Sequence, residues 1–346
     1  MSDMSTIAPS IPALRTTPRW PQFVAAVAAV VALAGVFIAP DRVWPNILLA
    51  GFYVTGLGLG AAFFIAVHEL SGARWIDPLR PAAHALMRVV PFGTALVLAA
   101  IVFGGKVLYP SFHGHGGNAF KAVWLDRMFF TARAFIYASL WIAFCRRPWK
   151  SVRTAAAFVV VFSVTVWLAS FDWIMALDPR WSSTIFGVYH FAGLFTAALA
   201  TLAVIAARDE SIGRDTRHDL AKLLFGFATF WMYIGFSQYM LIWYGNLREE
   251  AGYYAVRSQG SWSVLLITTV LLEWVVPFVV LLSQPAKMSR TILLRVAMAV
   301  LAGHWLDLYL GIFPSISAAP RFGVWEIVAL CGAAAGVMLV VRREER

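Results

Sequence analysis

The sequence predicts an all-α integral membrane protein, and its composition is the first reason. Of the 346 residues, 60% are hydrophobic and only 13% are charged, and the mean hydropathy is +0.73. Apolar stretches recur along the whole chain at about the 20 residues that an α-helix needs to cross a bilayer. The connections between them are short, so we expect residues 1–346 to form a single polytopic membrane domain.

Ten stretches meet this length, and the sequence predicts a membrane-spanning helix for each. In chain order they are about 20–39, 46–68, 89–109, 127–145, 152–171, 183–206, 220–244, 261–283, 291–312 and 324–341. The first follows Arg15 and Arg19, as the core of a signal peptide would. It is too long for that role and lacks a small-residue cleavage site, so we expect it to be retained.

The distribution of Lys and Arg predicts the orientation. Most of them fall in the segments that lie on the same side of the membrane as the N-terminus. One example is the connection that holds Arg146, Arg147, Lys150 and Arg153. Positively charged loops stay on the cytoplasmic side, so both termini are predicted to be cytoplasmic. This topology explains the net charge of +10, and nucleic-acid binding is not needed to account for it.

The cysteines and the exposed histidines do not predict a metal or a covalent cofactor. Cys145 and Cys331 are isolated, without the spacing of a disulfide framework, an iron–sulfur cluster or a c-type haem site. His113 and His115 flank a glycine in an outer loop without a carboxylate nearby, which favours a flexible loop over a metal site.

A short internal similarity suggests a repeat. Gly51-Phe-Tyr-Val-Thr-Gly-Leu57 resembles Gly187-Val-Tyr-His-Phe-Ala-Gly-Leu194, four spans later, with one slip at the second glycine. The similarity predicts two halves, about 46–171 and 183–312. Each half would form a four-helix bundle, from spans 2–5 and spans 6–9, with the first and tenth spans at the flanks. Chance similarity between glycine- and aromatic-rich helices is the alternative.

Ionisable residues inside the predicted spans are the strongest functional signal. Such a group near the bilayer centre costs about 2.5–3.5 kcal/mol on insertion scales, so it usually faces the protein interior and serves ion or proton movement. Glu273 lies near the midplane of the eighth span, and His304 and Asp307 share one face of the ninth. With His68 and Glu69 at the inner end of the second span, they form a predicted proton path. Ordered water would have to bridge groups about a dozen ångströms apart.

A second polar set lies towards the outer side and comprises Asp172, His190, Arg133 and Gln238. Each of these positions also has a structural interpretation. Arg133 is suited to a buried ion pair with Asp172 or Asp307, and His190 is suited to a packing role. His68 and Glu69 can likewise be interfacial residues that end a helix.

Three longer strings resemble a known family. They are Ser170-Phe-Asp-Trp-Ile-Met-Ala-Leu-Asp-Pro-Arg-Trp181 continuing to His190, Phe230-Trp-Met-Tyr-Ile-Gly-Phe-Ser-Gln-Tyr239 continuing to Glu250, and Val43-Trp-Pro-Asn-Ile-Leu-Leu-Ala-Gly-Phe-Tyr53 continuing to Phe64. They resemble the NrfD-like (polysulfide-reductase-C-like) integral membrane subunits of bacterial alternative complex III. Of the two such subunits, the second is the closer. The resemblance covers about residues 40–310 in order.

The resemblance implies a ten-helix subunit of a quinol:cytochrome c oxidoreductase in a bacterial cytoplasmic membrane. It implies that the redox centres lie on partners, which are a second NrfD-like subunit, an iron–sulfur molybdopterin-like subunit, multihaem and monohaem cytochromes c, and a terminal oxidase. It also keeps open a pocket for menaquinol or ubiquinol, for which Asp172, His190, Arg133 and Gln238 are candidates. Quinol oxidation needs an acid–base group beside a lipid-accessible pocket, because two protons leave with two electrons.

Two other classes remain as alternatives. A secondary transporter also places carboxylates at the midplane, usually on helices broken by Gly or Pro, and Pro277 follows Glu273 by four residues. A b-haem membrane anchor needs facing histidines on neighbouring helices, and His190 and His304 share a depth.

Overall fold

The computed structural model describes residues 19–113, 119–146, 149, 151–246 and 248–342. Over these ranges the chain is helical, without β-strands. Within these ranges, ten helical segments are long and apolar enough to span a membrane, as the sequence predicts. Among the predicted features, Arg15, Arg147, Lys150 and His115 lie outside the described residues.

The helices follow the predicted spans closely. The first half contains α1 (Trp20–Ile38), α2 (Pro40–Ser71), α3 (Arg80–Met87), α4 (Val90–Leu108), α5 (Ala119–Trp124), α6 (Arg127–Cys145) and α7 (Val152–Trp173). The second half contains α8 (Phe186–Arg208), α9 (Arg214–Gly245), α10 (Arg248–Arg257), α11 (Gly260–Val270), α12 (Val276–Leu281), α13 (Gln284–Met288), α14 (Arg290–Ile312) and α15 (Val324–Arg342). The short helices α3, α5, α10 and α13 lie in the connections.

Local sequence signals explain where several helices begin and end. The Asp126 carboxylate accepts hydrogen bonds from Met128 N and Phe129 N at 3.0 and 3.1 Å, which caps α6. Ser151 caps α7 in the same way. At the end of α2, Gly72 adopts φ +67°, the left-handed conformation that glycine reaches without steric cost.

The spanning helices form two rings of four. In the first ring, α2 packs on α4, α4 on α6, α6 on α7 and α7 on α2. In the second, α8 packs on α9 and α14, and the α11–α12 span lies between α9 and α14. The order of contacts is the same in both rings, as a repeat would require, and the repeat itself stays a prediction.

The two rings meet along α2 and α8, and α1 and α15 pack together at the flank. The central position of α2 shows in its burial, since 83% of its most apolar stretch is buried, against 11% for α1. Glycine allows the close approach of α2 to α8, because a Cβ at Gly60 would lie 3.0 Å from the Leu194 carbonyl oxygen. The junction of the rings is therefore the most enclosed part of the molecule.

Candidate functional site

Three ionisable side chains meet at this junction. His304 Nδ1 lies 3.2 Å from Glu273 Oε1 and 3.9 Å from Asp307 Oδ2. One potential ligand atom from each of the three residues lies within 4.8 Å of the others, and all three side chains are buried. The sequence predicts that His304 and Asp307 share a face. The structure adds Glu273, from the neighbouring span, to the same cluster.

The backbone around Glu273 is unusual. Residues Leu271–Val275 form a π-helical turn between α11 and α12, and Glu273 is at its centre. Such turns occur mostly as single interruptions of α-helices, frequently at functional sites. Gly303 of α14 packs against this turn, since a Cβ at Gly303 would lie only 2.9 Å from Glu273 N. The π-turn and the glycine together place the carboxylate against α14.

A second glycine makes room for the imidazole. A Cβ at Gly193 of α8 would lie 2.7 Å from His304 Cε1. The absence of a side chain at Gly193 therefore lets the imidazole of His304 occupy the space between α8 and α14. Both close approaches depend on glycine, because a Cβ at either position would meet an atom within 3 Å.

The polar atoms of the cluster are incompletely satisfied. Within the described part of the chain, Glu273 Oε1 and Oε2 and His304 Nδ1 have no partner with hydrogen-bond geometry. Buried polar atoms normally have a partner, and each exception calls for an explanation such as a functional role or a bound water or ion. The atoms of this cluster are therefore suited to exchanging a proton or binding a cation.

Two tyrosines that were not among the predicted site residues complete the surroundings. The Tyr189 hydroxyl of α8 donates to Asp307 Oδ1. The Tyr53 ring of α2 lies 5.6 Å from the His304 ring, and its hydroxyl donates to the Leu301 carbonyl at 3.1 Å. These tyrosines occupy matching positions in the two similar strings, so the similarity could have been used to find them.

The inner members of the predicted proton path lie far from the cluster. Tyr53 and His68 are both on α2, and 15 residues of helix separate them by about 22 Å. His68 Nδ1 contacts the Phe64 carbonyl oxygen at 2.7 Å, and its ring packs against Trp75. Glu69 forms an ion pair with Arg80. The distance therefore excludes direct proton transfer between the cluster and His68 or Glu69.

Asp172 and Arg133 form a buried ion pair on the other side of the junction. Arg133 Nε and Nη2 donate to Asp172 Oδ2 and Oδ1, each at 2.9 Å. Trp124 Nε1 and the Tyr137 hydroxyl donate to the same carboxylate at 2.8 and 3.1 Å. Of the two partners that the sequence allows for Arg133, the structure selects Asp172 and leaves Asp307 to the cluster. Both carboxylate oxygens of Asp172 are engaged.

The other two quinol-pocket candidates, His190 and Gln238, lie apart from this ion pair. The His190 ring packs edge-on against Phe52 and Phe186, with centroid distances of 5.4 and 4.3 Å, which favours the packing interpretation. Gln238 Nε2 donates to the Tyr254 hydroxyl at 2.9 Å, towards α10. The four predicted quinol-pocket candidates thus make three separate sets of contacts.

Helix α10 lies against the C-terminal end of α14, beyond Asp307. Arg257 donates to the carbonyls of Leu310 and Gly311 at 2.9 and 3.2 Å, and its guanidinium stacks on Tyr253. Tyr253 in turn stacks on Trp181, with the ring centroids 3.8 Å apart. Burial lowers the pKa of the Arg257 guanidinium and raises the pKa of the Tyr253 phenol. Arg257, Tyr253 and Trp181 thus form a stacked layer at the C-terminal end of α14.

Comparison of the chain with models of known protein families, and with curated proteins, gives no match. The function is therefore argued from the geometry of the cluster, and the resemblance described above stays a prediction.

Proposed function

We propose that this protein moves protons through the cluster of Glu273, His304 and Asp307, as a membrane subunit of a quinol:cytochrome c oxidoreductase of the alternative complex III type. The observation that carries the proposal is the contact of three buried ionisable groups inside membrane-spanning helices. Groups of this kind are expensive to insert, and they mark ion or proton pathways when they face the interior of a bundle.

The geometry supports a relay with His304 at its centre. The Nδ1 atom of His304 faces a carboxylate on each side, at 3.2 Å to Glu273 and 3.9 Å to Asp307. A proton accepted from one carboxylate can be passed to the other after a small rotation of the side chains. Tyr189 donates to Asp307 Oδ1, and His304 faces the other oxygen of this carboxylate, Oδ2. The path from the cluster to His68 would need a chain of ordered water.

The resemblance supports the rest of the proposal. In such a complex, electrons would pass through the iron–sulfur and cytochrome c partners, and this chain would supply the transmembrane path for protons. Quinol oxidation is better assigned to the second NrfD-like subunit, because Asp172 is already fully engaged by Arg133, Trp124 and Tyr137. The charge distribution and the resemblance support residence in a bacterial cytoplasmic membrane, with both termini inside.

The test is the Glu273→Gln variant of the whole complex in sealed vesicles. Glutamine keeps the size of the side chain and removes its titration. We expect electron transfer from quinol to cytochrome c to be largely retained and the number of protons translocated per electron to fall. Glu210→Gln is the matched control, since Glu210 is 91% exposed. An unchanged ratio of protons to electrons in Glu273→Gln would leave this cluster without a role in transport.

Membership of the complex has its own test. The chain should copurify in mild detergent with a second NrfD-like subunit and an iron–sulfur subunit, and its deletion should abolish quinol:cytochrome c activity. Recovery of the chain alone, together with full activity in the deletion strain, would contradict the assignment.

A secondary transporter is the second candidate, and the π-turn at Leu271–Val275 is the observation that favours it. Transporters place binding groups on interrupted helices at mid-depth. The purified chain alone, in vesicles without its partners, should then drive the uptake of an ion or solute in response to a proton gradient. Uptake that Glu273→Gln abolishes would favour this candidate over the respiratory subunit.

A further inference from the structure

A long cavity lies between the flanking helices α1 and α15 and the helices α2 and α4 of the first ring. Its volume is about 650 Å³, within the range of roughly 300–1,000 Å³ that is typical of ligand pockets. Its lining on α15 extends from Trp325 to Val340, which is about 22 Å of helix. A protein helix of that length and 10 Å diameter would need about 1,700 Å³. The cavity therefore fits a thinner chain.

Tight packing closes the cavity at Trp325. A Cβ at Gly35 of α1 would meet the ring of Trp325 and would lie 2.7 Å from Val43 Cγ2. Three helices, α1, α2 and α15, are thus in contact at this end. Farther along α1, the lining residue Ala29 is exposed, so the cavity opens sideways between the helices. In a bilayer such an opening faces lipid.

A buried amide without a full set of partners lies at the closed end. Asn46 of α2 lines the cavity and is only 2% exposed. Its Nδ2 donates to the Arg42 carbonyl at 2.9 Å and to Glu326 Oε1 at 3.2 Å, which fixes the orientation of the amide. Its Oδ1 accepts no hydrogen bond from the described residues. A buried acceptor normally has a partner, so the occupant of the cavity should offer a donor here.

The charges beside Asn46 balance each other. The Glu326 carboxylate is 4% exposed and pairs with Arg42 at 2.6 Å. Among the described residues, those that line the cavity carry no charge. A charged group placed against Asn46 would be buried without a counter-charge, which is costly. The donor should therefore belong to a neutral group, and a hydroxyl is the simplest neutral donor.

The rest of the lining requires an apolar occupant. Most of it is alanine, glycine, valine and leucine. A buried water needs two to four polar partners, so water could occupy only the end at Asn46. An empty space would deprive the remaining lining of its dispersion contacts. The occupant is thus apolar along most of its length and carries a donor at one end.

We propose that this cavity binds a neutral membrane amphiphile with one apolar chain and a hydroxyl head, and that the hydroxyl donates to Asn46 Oδ1. Its chain would lie along α15 and fill the space between the flanking helices and the first ring. The hydroxyl could belong to an isoprenoid quinol or to a glyceride without a phosphate group, since both present the same chemistry to Asn46. This inference does not depend on the proposed function.

The test compares two probes that differ only in the donor. Delipidated protein, with the subunits it retains, is titrated with 1-hexadecanol or with its methyl ether, and native mass spectrometry counts the bound molecules. We expect one molecule of the alcohol per chain, bound at least five-fold more tightly than the ether. Equal binding of the two probes to the unaltered protein would overturn the proposal.

Three variants locate the site. Ala329→Phe places a ring in the cavity and should lose both probes, whereas Ala334→Phe should keep them, because Ala334 is exposed and outside the lining. Asn46→Leu should bind the alcohol and the ether equally. Equal binding of the alcohol by Ala329→Phe and Ala334→Phe would contradict the assigned place. If Asn46→Leu does not fold, the comparison of the two probes on the unaltered protein still decides.

The natural occupant is identified by extracting lipids from the unaltered protein and from Ala329→Phe. We expect one neutral, hydroxyl-bearing lipid per chain that the variant lacks. In competition with hexadecanol, an isoprenoid quinol should displace the probe and the corresponding quinone, which has no donor, should not; displacement by a diacylglycerol alone would assign the site to glycerides. A phospholipid that is lost from the variant in place of a neutral lipid would overturn the proposal.

Discussion

Replacing Arg133 alone should destabilise the protein more than replacing Arg133 and Asp172 together. Asp172 is completely buried and accepts four hydrogen bonds, two of them from Arg133 at 2.9 Å. Arg133→Met removes those two bonds and leaves a carboxylate without a counter-charge. Breaking a buried ion pair in this way costs about 3–5 kcal/mol.

The double variant Arg133→Met/Asp172→Asn should cost less than the single one. It removes both charges, and the new amide oxygen still accepts from Trp124 or Tyr137. The remaining cost is that of an incompletely satisfied polar group, about 1–3 kcal/mol. The two substitutions should therefore be coupled by about 2 kcal/mol or more, which is within the range found for contacting residues.

The assay is reversible unfolding in mixed micelles, with the free energy of unfolding measured for each variant. Arg80→Met is the matched control, because Arg80 and its partner Glu69 are partly exposed at the surface. An exposed pair is worth about 0–1 kcal/mol. If Arg133→Met costs no more than the control, and the double variant equals the sum of the two single ones, the ion pair does not hold these helices together.

Further expectations concern the cluster and its packing. Tyr189→Phe removes the hydroxyl that donates to a buried carboxylate and should slow proton translocation in vesicles, while Tyr53→Phe, which frees only a backbone carbonyl, should have a smaller effect. Gly303→Ala should lower the melting temperature in detergent, because the new methyl group meets the backbone of Glu273 and overpacking costs about 1–3 kcal/mol. Gly226→Ala, at an open helix position, should raise it slightly. Elemental analysis should find no stoichiometric metal if the cluster carries protons, and one divalent ion per chain would assign the three groups to a metal site instead.

Hydropathy was sufficient to predict the spans because a bilayer imposes a minimum apolar length on every helix that crosses it. The fourth span, 127–145, coincides with α6. Most other ends differ by one to three residues, but α2 and α9 begin at Pro40 and Arg214, six residues before the predicted starts. The short helix α10 was not predicted, since its ten residues are too few and too polar to be seen as a span.

The composition of the cluster could be predicted only in part. The three-residue spacing of His304 and Asp307 places them on one face of any helix. Which neighbouring span faces them is a matter of tertiary packing, so the contact with Glu273 could not be derived. For the same reason the sequence could not decide between Asp172 and Asp307 as the partner of Arg133. The role of Tyr189 was missed because a tyrosine in a membrane helix is ordinary by composition.

The π-turn at Leu271–Val275 means that the eighth span consists of two helical pieces in different phase. A π-turn is equivalent to one residue inserted into an α-helix, and each residue of such a helix accounts for a rotation of about 100°. Val279 and Leu282, which follow the turn, are 63% and 64% exposed, and their direction depends on the phase of this second piece. Shortening the turn by one residue would rotate both side chains towards the interior. The number of residues in this turn therefore determines both the position of the Glu273 carboxylate and which side chains of α12 face the lipid.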